Sequence, residues 1–261
     1  MTTRYESTTY FGRNEAFALQ VSRGQIPGHS TVIVFGYNDD LDTTEESVWP
    51  DGGVIPHVSV ASVMKVASSS ANDTSAGTGA RTVYIEGVDG DFAVKSEVVT
   101  LNGQTAVNTT HEYLAINQMM VMTVGSTGHN EGDINIGTGT VTAGVPAVLF
   151  DLIGVSNNQR TTGHYTVPAG YTGYLMQGQF SAGQRSGSTS VTGKLKITTP
   201  DNITRVGAIS TLNNGTADHM FDLPFPIYEK TCVGATAIGS SANNSVSSMF
   251  IICLIKNSTG Y

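Results

Sequence analysis

Apolar residues in this chain recur at every second position in short runs, and no stretch sustains the period of a long amphipathic helix. Met64 and Val66 share one parity with Val58 and Val60, against Ser59 and Lys65 on the other. Tyr174, Met176 and Phe180 alternate with Gln177 and Gln179, and Leu195 and Ile197 alternate with Lys194 and Lys196. Side chains of a strand point to opposite faces in turn, so each run reads as a half-buried β-strand. Composition agrees. The 261 residues include 57 serines and threonines and 30 glycines, while only 13% are charged. That is a strand-and-turn composition, and the 39% of apolar residues is enough to build a core.

The runs predict an all-β chain, an antiparallel β-sandwich or jelly-roll-like fold in two β modules. Residues 1–55 read as an N-terminal arm, formed by 1–16, plus strands that complete a sheet. Residues 56–125 read as a first sandwich and 126–261 as a second, jelly-roll-like one, with a boundary near Gly125–Gly128. Only Asn14–Val21 and His111–Met122 carry helix formers, and the β-branched tail Val121–Val124 turns the second towards a strand. Asp89-Gly90 and Asn102-Gly103 suit tight hairpin turns and predict a three-stranded meander over 82–110. Asn214-Gly215 predicts a further hairpin, and Cys232–Gly239 with Val246–Ile255 a last one, which would set Cys232 opposite Cys253. Two buried free thiols are the expected state of that pair. The final strand is apolar on both parities, so it is buried either centrally or at a subunit contact, and Met249, Phe250, Ile251, Ile252 and Leu254 are the candidate contact residues.

Charge and motif exclude more than they assign. The net charge is −8 with 13 scattered cations, which gives no footprint for nucleic acid or for an anionic membrane. The longest strongly apolar run, Met249–Ile255, is too short to span a bilayer, and Met1–Glu6 lacks the apolar core of a signal peptide. Synthesis in the cytoplasm is the expectation. No Gly-x-Ser-x-Gly elbow, dinucleotide fingerprint or phosphate loop is present. His111-Glu112 begins a zinc-protease pattern, but Ala115 stands where the second histidine belongs.

Three constellations remain. Asp39, Asp40, Asp42, Glu45 and Glu46 read as a solvated acidic loop rather than a calcium site. His129, Glu131 and Asp133 would share a strand face and could hold a divalent metal, though Gly128 and Gly132 favour a turn. Glu86, Glu97 and Asp151 read as edge or loop charges rather than a hydrolytic pair, and Trp49 as a packing anchor. No cofactor, metal or catalytic residue is assigned, and the chain is not expected to be an enzyme.

Longer phrases carry a resemblance. They are 17–30 (FALQVSRGQIPGHS), 68–83 (SSSANDTSAGTGARTV), 101–105 (LNGQT), 137–141 (GTGTV) and 165–171 (YTVPAGY). Together they resemble a family of virion structural proteins of tailed bacteriophages, many marine or freshwater, over about residues 15–257. The resemblance implies a part made in the host cytoplasm and assembled on the particle exterior as head decoration, cement, neck or tail component. It implies contacts with copies of itself, by analogy as a homotrimer, and with major capsid, neck or tail proteins. The alternative is a receptor-binding module that grips a host surface glycan or protein through loops such as Gln184–Ser190. A glycan-degrading enzyme is the remaining, weakest reading.

Overall fold

The computed structural model describes residues 15–183 and 189–257. One short helix, α1 (Phe17–Ser22), precedes β1 (His29–Leu41) and the two-residue β2 (Glu46–Ser47). Seven strands follow: β3 (Ser62–Ser68), β4 (Ala80–Val88), β5 (Val94–Thr100), β6 (Val107–Tyr113), β7 (Ala115–Val124), β8 (Ile134–Thr142) and β9 (Val145–Ile153). The last seven are β10 (His164–Thr166), β11 (Tyr171–Gly183), β12 (Val191–Thr198), β13 (Thr204–Leu212), β14 (Gly215–Ile227), β15 (Cys232–Gly239) and β16 (Asn244–Lys256). All strand pairing is antiparallel, as the sequence predicts.

Two sheets face each other at the C-terminal end. One has the order β1-β16-β11-β14 and the other β10-β15-β12-β13, with β2 attached to β15. Counting β1 and then β10–β16 as eight strands, the orders are 1-8-3-6 and 2-7-4-5. That is the double Greek key of a jelly roll, whose successive strands mostly switch sheets. Between the sheets lie Val34, Leu175, Phe180, Leu195, Val233, Phe250 and Ile252, all buried. The jelly roll is interrupted: residues 42–163 are inserted between its first and second strands. Within them β6-β3-β8-β9 and β5-β4-β7 form a second pair of sheets around Met64, Ile85, Met119, Ile134 and Ile136. The expected boundary near 125 falls inside this second pair of sheets, because β8, after it, pairs with β3, before it, and β9 pairs with β8.

The expected hairpins meet three corrections. β4 and β5 do pair, but across a five-residue connection (89–93) in which Phe92 takes the positive φ (+62°). β6 leaves that sheet for β3, so the meander stops at two strands. The reason lies at 101–103: Leu101 is buried, Gly103 N–H donates to the Asp73 carbonyl, and its own carbonyl accepts from Ser68 N–H. These bonds carry the chain over to the facing sheet. Asn214-Gly215 likewise joins strands of different sheets, as does the segment between β15 and β16. Cys232 and Cys253 therefore lie in opposite sheets, both as free thiols. In β11 a bulge between Leu175 and Gln177 shifts the parity, which puts Leu175 and Phe180 inside together where simple alternation would not.

Candidate assembly face and the joint behind it

The sheet β1-β16-β11-β14 has one face on the core and one on the surface. Its register builds three rows across the outer face. They are Ile33–Ile251–Gln177–Met220, Phe35–Met249–Gln179–Asp218 and Tyr37–Ser247–Ser181–Thr216. Ile33, Phe35, Tyr37 and Met220 are 50%, 43%, 44% and 72% exposed, and Met249 and Ile251 are half-buried between them. Of these twelve side chains only Asp218 carries a formal charge, and its carboxylate accepts a 2.6 Å hydrogen bond from Gln179 Nε2. The opposite outer face, on β12 and β15, is different: Glu45 lies between Lys194 (2.6 Å) and Lys196 there, with the Thr236 hydroxyl at 3.0 Å. Burial opposes ionisation of Glu45, but the bonds from Lys194, Lys196 and Thr236 outweigh it and hold the carboxyl at about 2.

The five residues of the predicted contact strand separate by parity. Phe250, Ile252 and Leu254 point into the core at 1%, 0% and 7% exposure, so they are packing residues and reach no partner. Met249 and Ile251 stand on the outer face. β16 is not an edge but lies between β1 and β11, with its even-numbered side chains on the core. Sequence reasoning missed Ile33, Phe35 and Tyr37, although they alternate with buried Val34, Gly36 and Asn38 in plain period two.

Behind β1, the inserted sandwich meets the jelly roll through a buried polar joint. Asp151 of β9 and Arg160 pair at 2.7 Å, with side chains 0% and 5% exposed. Asp151 also accepts from the Thr162 hydroxyl (2.5 Å) and Leu152 N–H (2.8 Å). Burial pushes the Asp151 carboxyl up against the pull of Arg160, and it pushes the Arg160 guanidinium down. Arg160 further donates to the Asn117 carbonyl. The Asn117 amide of β7 gives and takes 2.8 Å bonds with the Thr166 backbone of β10, standing in for one rung of a ladder. The expectation of Asp151 as an edge charge is corrected: it is wholly buried and pins Arg160, in the segment by which the insertion leads into β10.

The remaining candidates resolve as structure. Glu131 accepts from Asn72 and Thr78, Asp133 from Val155 N–H, and His129 faces the Asn130 carbonyl, so the three do not converge on a metal. Among the described residues no cluster of histidine, cysteine and carboxylate groups suits a metal ion. In the acidic loop, Glu46 is buried and accepts from Asn38 (3.0 Å), and Glu45 is ion-paired, so two of its five acids are packed rather than solvated. Glu97 receives the Thr110 and His111 N–H groups and the Tyr113 hydroxyl. Trp49 is 2% exposed and packs with Ile55 and Leu152.

A cavity of about 350 Å³ between the sandwiches touches His57, His164 and Cys232. His164 faces the Ile116 carbonyl at 3.0 Å, and burial raises the Cys232 thiol to about 11, which favours its protonated form. The 1–16 arm falls, except for its last two residues, outside the described residues. So does most of the Gln184–Ser190 loop. Among the described residues no helix is long and apolar enough to cross a membrane.

No protein-family profile and no curated protein matches the chain. Solved structures with some likeness include those of infectious bursal disease virus. The VP2 subviral particle of infectious bursal disease virus is 11% identical, with a TM-score of 0.21 over 100% of this chain and 83% of that one. The Gx strain structure of the same virus is 10% identical with a TM-score of 0.19, over 89% and 78%. A D431N mutant VP2 in T=1 particles is 13% identical with a TM-score of 0.21, over 90% and 77%. Scores this low fall short of a shared fold.

Proposed function

We propose that this chain is a non-enzymatic structural protein of the virion exterior, acting through protein–protein assembly as head decoration, cement, or a neck or tail component. The observation that carries the reading is the neutral outer face of the β1-β16-β11-β14 sheet. Its three middle rows are rich in aromatic, Met and Ile side chains and carry one formal charge, Asp218, in a chain of net −8, with exposed Asp39 and Asp222 beyond them on β1 and β14. Depletion of charge and enrichment in aromatics and methionine mark the centres of protein interfaces. The carboxylates that hydrolytic chemistry would need are instead held in ion pairs and hydrogen bonds. The jelly roll alone assigns no function. The sequence phrases that resemble phage virion proteins supply the particle context.

In this reading the jelly roll and the inserted sandwich are two modules of one part. The protein is made in the host cytoplasm and carried on the virion, with copies of itself and capsid, neck or tail proteins as partners; three-fold association rests on analogy alone. Antibody-gold labelling of intact particles, with mass spectrometry of purified virions, tests it. Label over the head is expected of decoration or cement, and label at one pole of a neck or tail part. Saturable binding of micromolar protein to susceptible cells would move the reading to host adsorption. Absence from purified virions overturns it.

A further inference from the structure

We infer that the open edge of β1 is a docking groove for one added β-strand, and that its occupant is this chain's own segment 1–14, laid antiparallel along Thr31–Phe35. It does not depend on the virion reading. In an antiparallel pair, alternate residues turn their backbone groups to the partner strand and the others turn theirs away. Lys256 N–H donates to the Gly28 carbonyl (2.7 Å), so the even-numbered residues of β1 face β16. Thr31, Ile33, Phe35 and Tyr37 face the other way. Tyr37 N–H is met by the Thr161 carbonyl at 3.0 Å, while the backbone groups of Thr31, Ile33 and Phe35 have no partner among the described residues. The opposite edge of the sheet is β14. There the same alternation turns Pro224 and Pro226 outward, and neither has an N–H to offer. One edge is blunted and the other is open.

A cleft of about 240 Å³ lies beside the open edge, between Thr31–Phe35 and Glu86, Gln118 and Gln159 of the insertion. It takes the inward side chains of an added strand whose backbone lies along β1. The Gln118 and Gln159 amides make no hydrogen bond among the described residues, and the Glu86 carboxylate accepts only from the Tyr84 hydroxyl (2.7 Å). Segment 1–14 is the occupant by position, length and chemistry. The Phe17 ring meets the His29 ring edge-on, centroids 5.9 Å apart, so the segment enters at the N-terminal end of the open edge. Such tethering is equivalent to a free strand at about millimolar concentration. Fourteen residues extend to about 46 Å and five residues of β1 take about 17 Å, so the segment reaches the whole edge. Seven of residues 1–11 are Thr, Tyr or Phe, which favour strands, and none of 1–14 is proline. Arg4 and Arg13 against Glu6 give the segment the sign opposite to a chain of net −8, and bring cations to Glu86.

The test is amide hydrogen exchange of the full chain, read by mass spectrometry at single residues, beside a variant lacking residues 2–14. Slow exchange is expected at Thr31, Ile33 and Phe35 in the full chain, and exchange at least about 10-fold faster in the variant. Val32 and Val34, which face β16, should be unchanged. Thr8→Pro with Tyr10→Pro keeps the length but removes two donors, and should act as the deletion does; it carries the test if the shortened chain does not fold. Protection should be the same at about 2 and about 200 µM. Fast exchange at the three positions in the full chain, or equal exchange with and without the segment, overturns the inference. Protection that grows with concentration and vanishes with the segment also overturns it, in favour of a segment exchanged between copies.

Discussion

Asp73 shows how much a single buried carboxylate organises. It is 0% exposed and accepts from Ala80 N–H (2.7 Å), Glu131 N–H (2.9 Å), Gly132 N–H (2.9 Å) and the Ser68 hydroxyl (2.6 Å). A Cβ on Gly79 would stand 2.0 Å from its Oδ1, which accounts for glycine there. Charge-assisted bonds are roughly twice as strong as neutral ones, and their loss would leave two buried N–H donors and a half-buried third unpaired. Asp73→Ala should therefore cost about 3–5 kcal/mol in urea unfolding, with Asp73→Asn recovering part of it. His164 makes a pH prediction. Burial first, then Arg160 and His57, hold its pKa well below 6.5, so the folded state does not take up the proton that the unfolded chain binds. Stability should fall as pH drops below about 6.5, by up to about 1.4 kcal/mol per pH unit. His164→Gln should flatten that slope between pH 6.5 and 5. His57, also lowered by burial, should leave a residual one.

At the scale of the element, β16 separates packing from contact within one strand. Phe250 is 1% exposed and its truncation opens a cavity, so Phe250→Ala should cost about 3–5 kcal/mol. Met249→Ser, on the outer face, should cost the isolated chain less than about 1 kcal/mol. Similar losses at both positions in denaturant unfolding would sink the parity assignment. In the sequence β16 reads as apolar on both parities and the alternation of β1 went unread, but alternation was legible at β3 and β12, because each has one face on a core. It misled at β11, where the bulge at 175–177 inserts a residue and moves Phe180 to the parity opposite that of Leu175. Turn dipeptides marked where strands end but not which sheet comes next. Asn102-Gly103 and Asn214-Gly215 both carry the chain across a sandwich instead of closing a hairpin.

At the scale of the molecule, the Asp151–Arg160 pair fixes the segment by which the insertion leads back into the jelly roll at β10. Removing one partner of a buried pair leaves an uncompensated charge, commonly at a cost of about 3–5 kcal/mol. Asp151→Asn should therefore lower stability by about that much and loosen the joint, seen as faster proteolysis at 154–163. Asp151→Leu with Arg160→Met should restore much of it. An unchanged cleavage rate in Asp151→Asn would show that other contacts, such as the Asn117–Thr166 bonds, hold the sandwiches together.

The sequence by itself determined that the chain is built from half-buried antiparallel strands, because period-two alternation and turn residues are local properties. The tertiary structure alone decided that β1 pairs with β16 across more than 200 residues, and that a whole sandwich is inserted between the jelly roll's first two strands. It alone placed Asp151 beside Arg160 and Asp73 within its four donors. Those choices depend on which strands meet, and the pairing of distant strands is set by shared burial that no local pattern records.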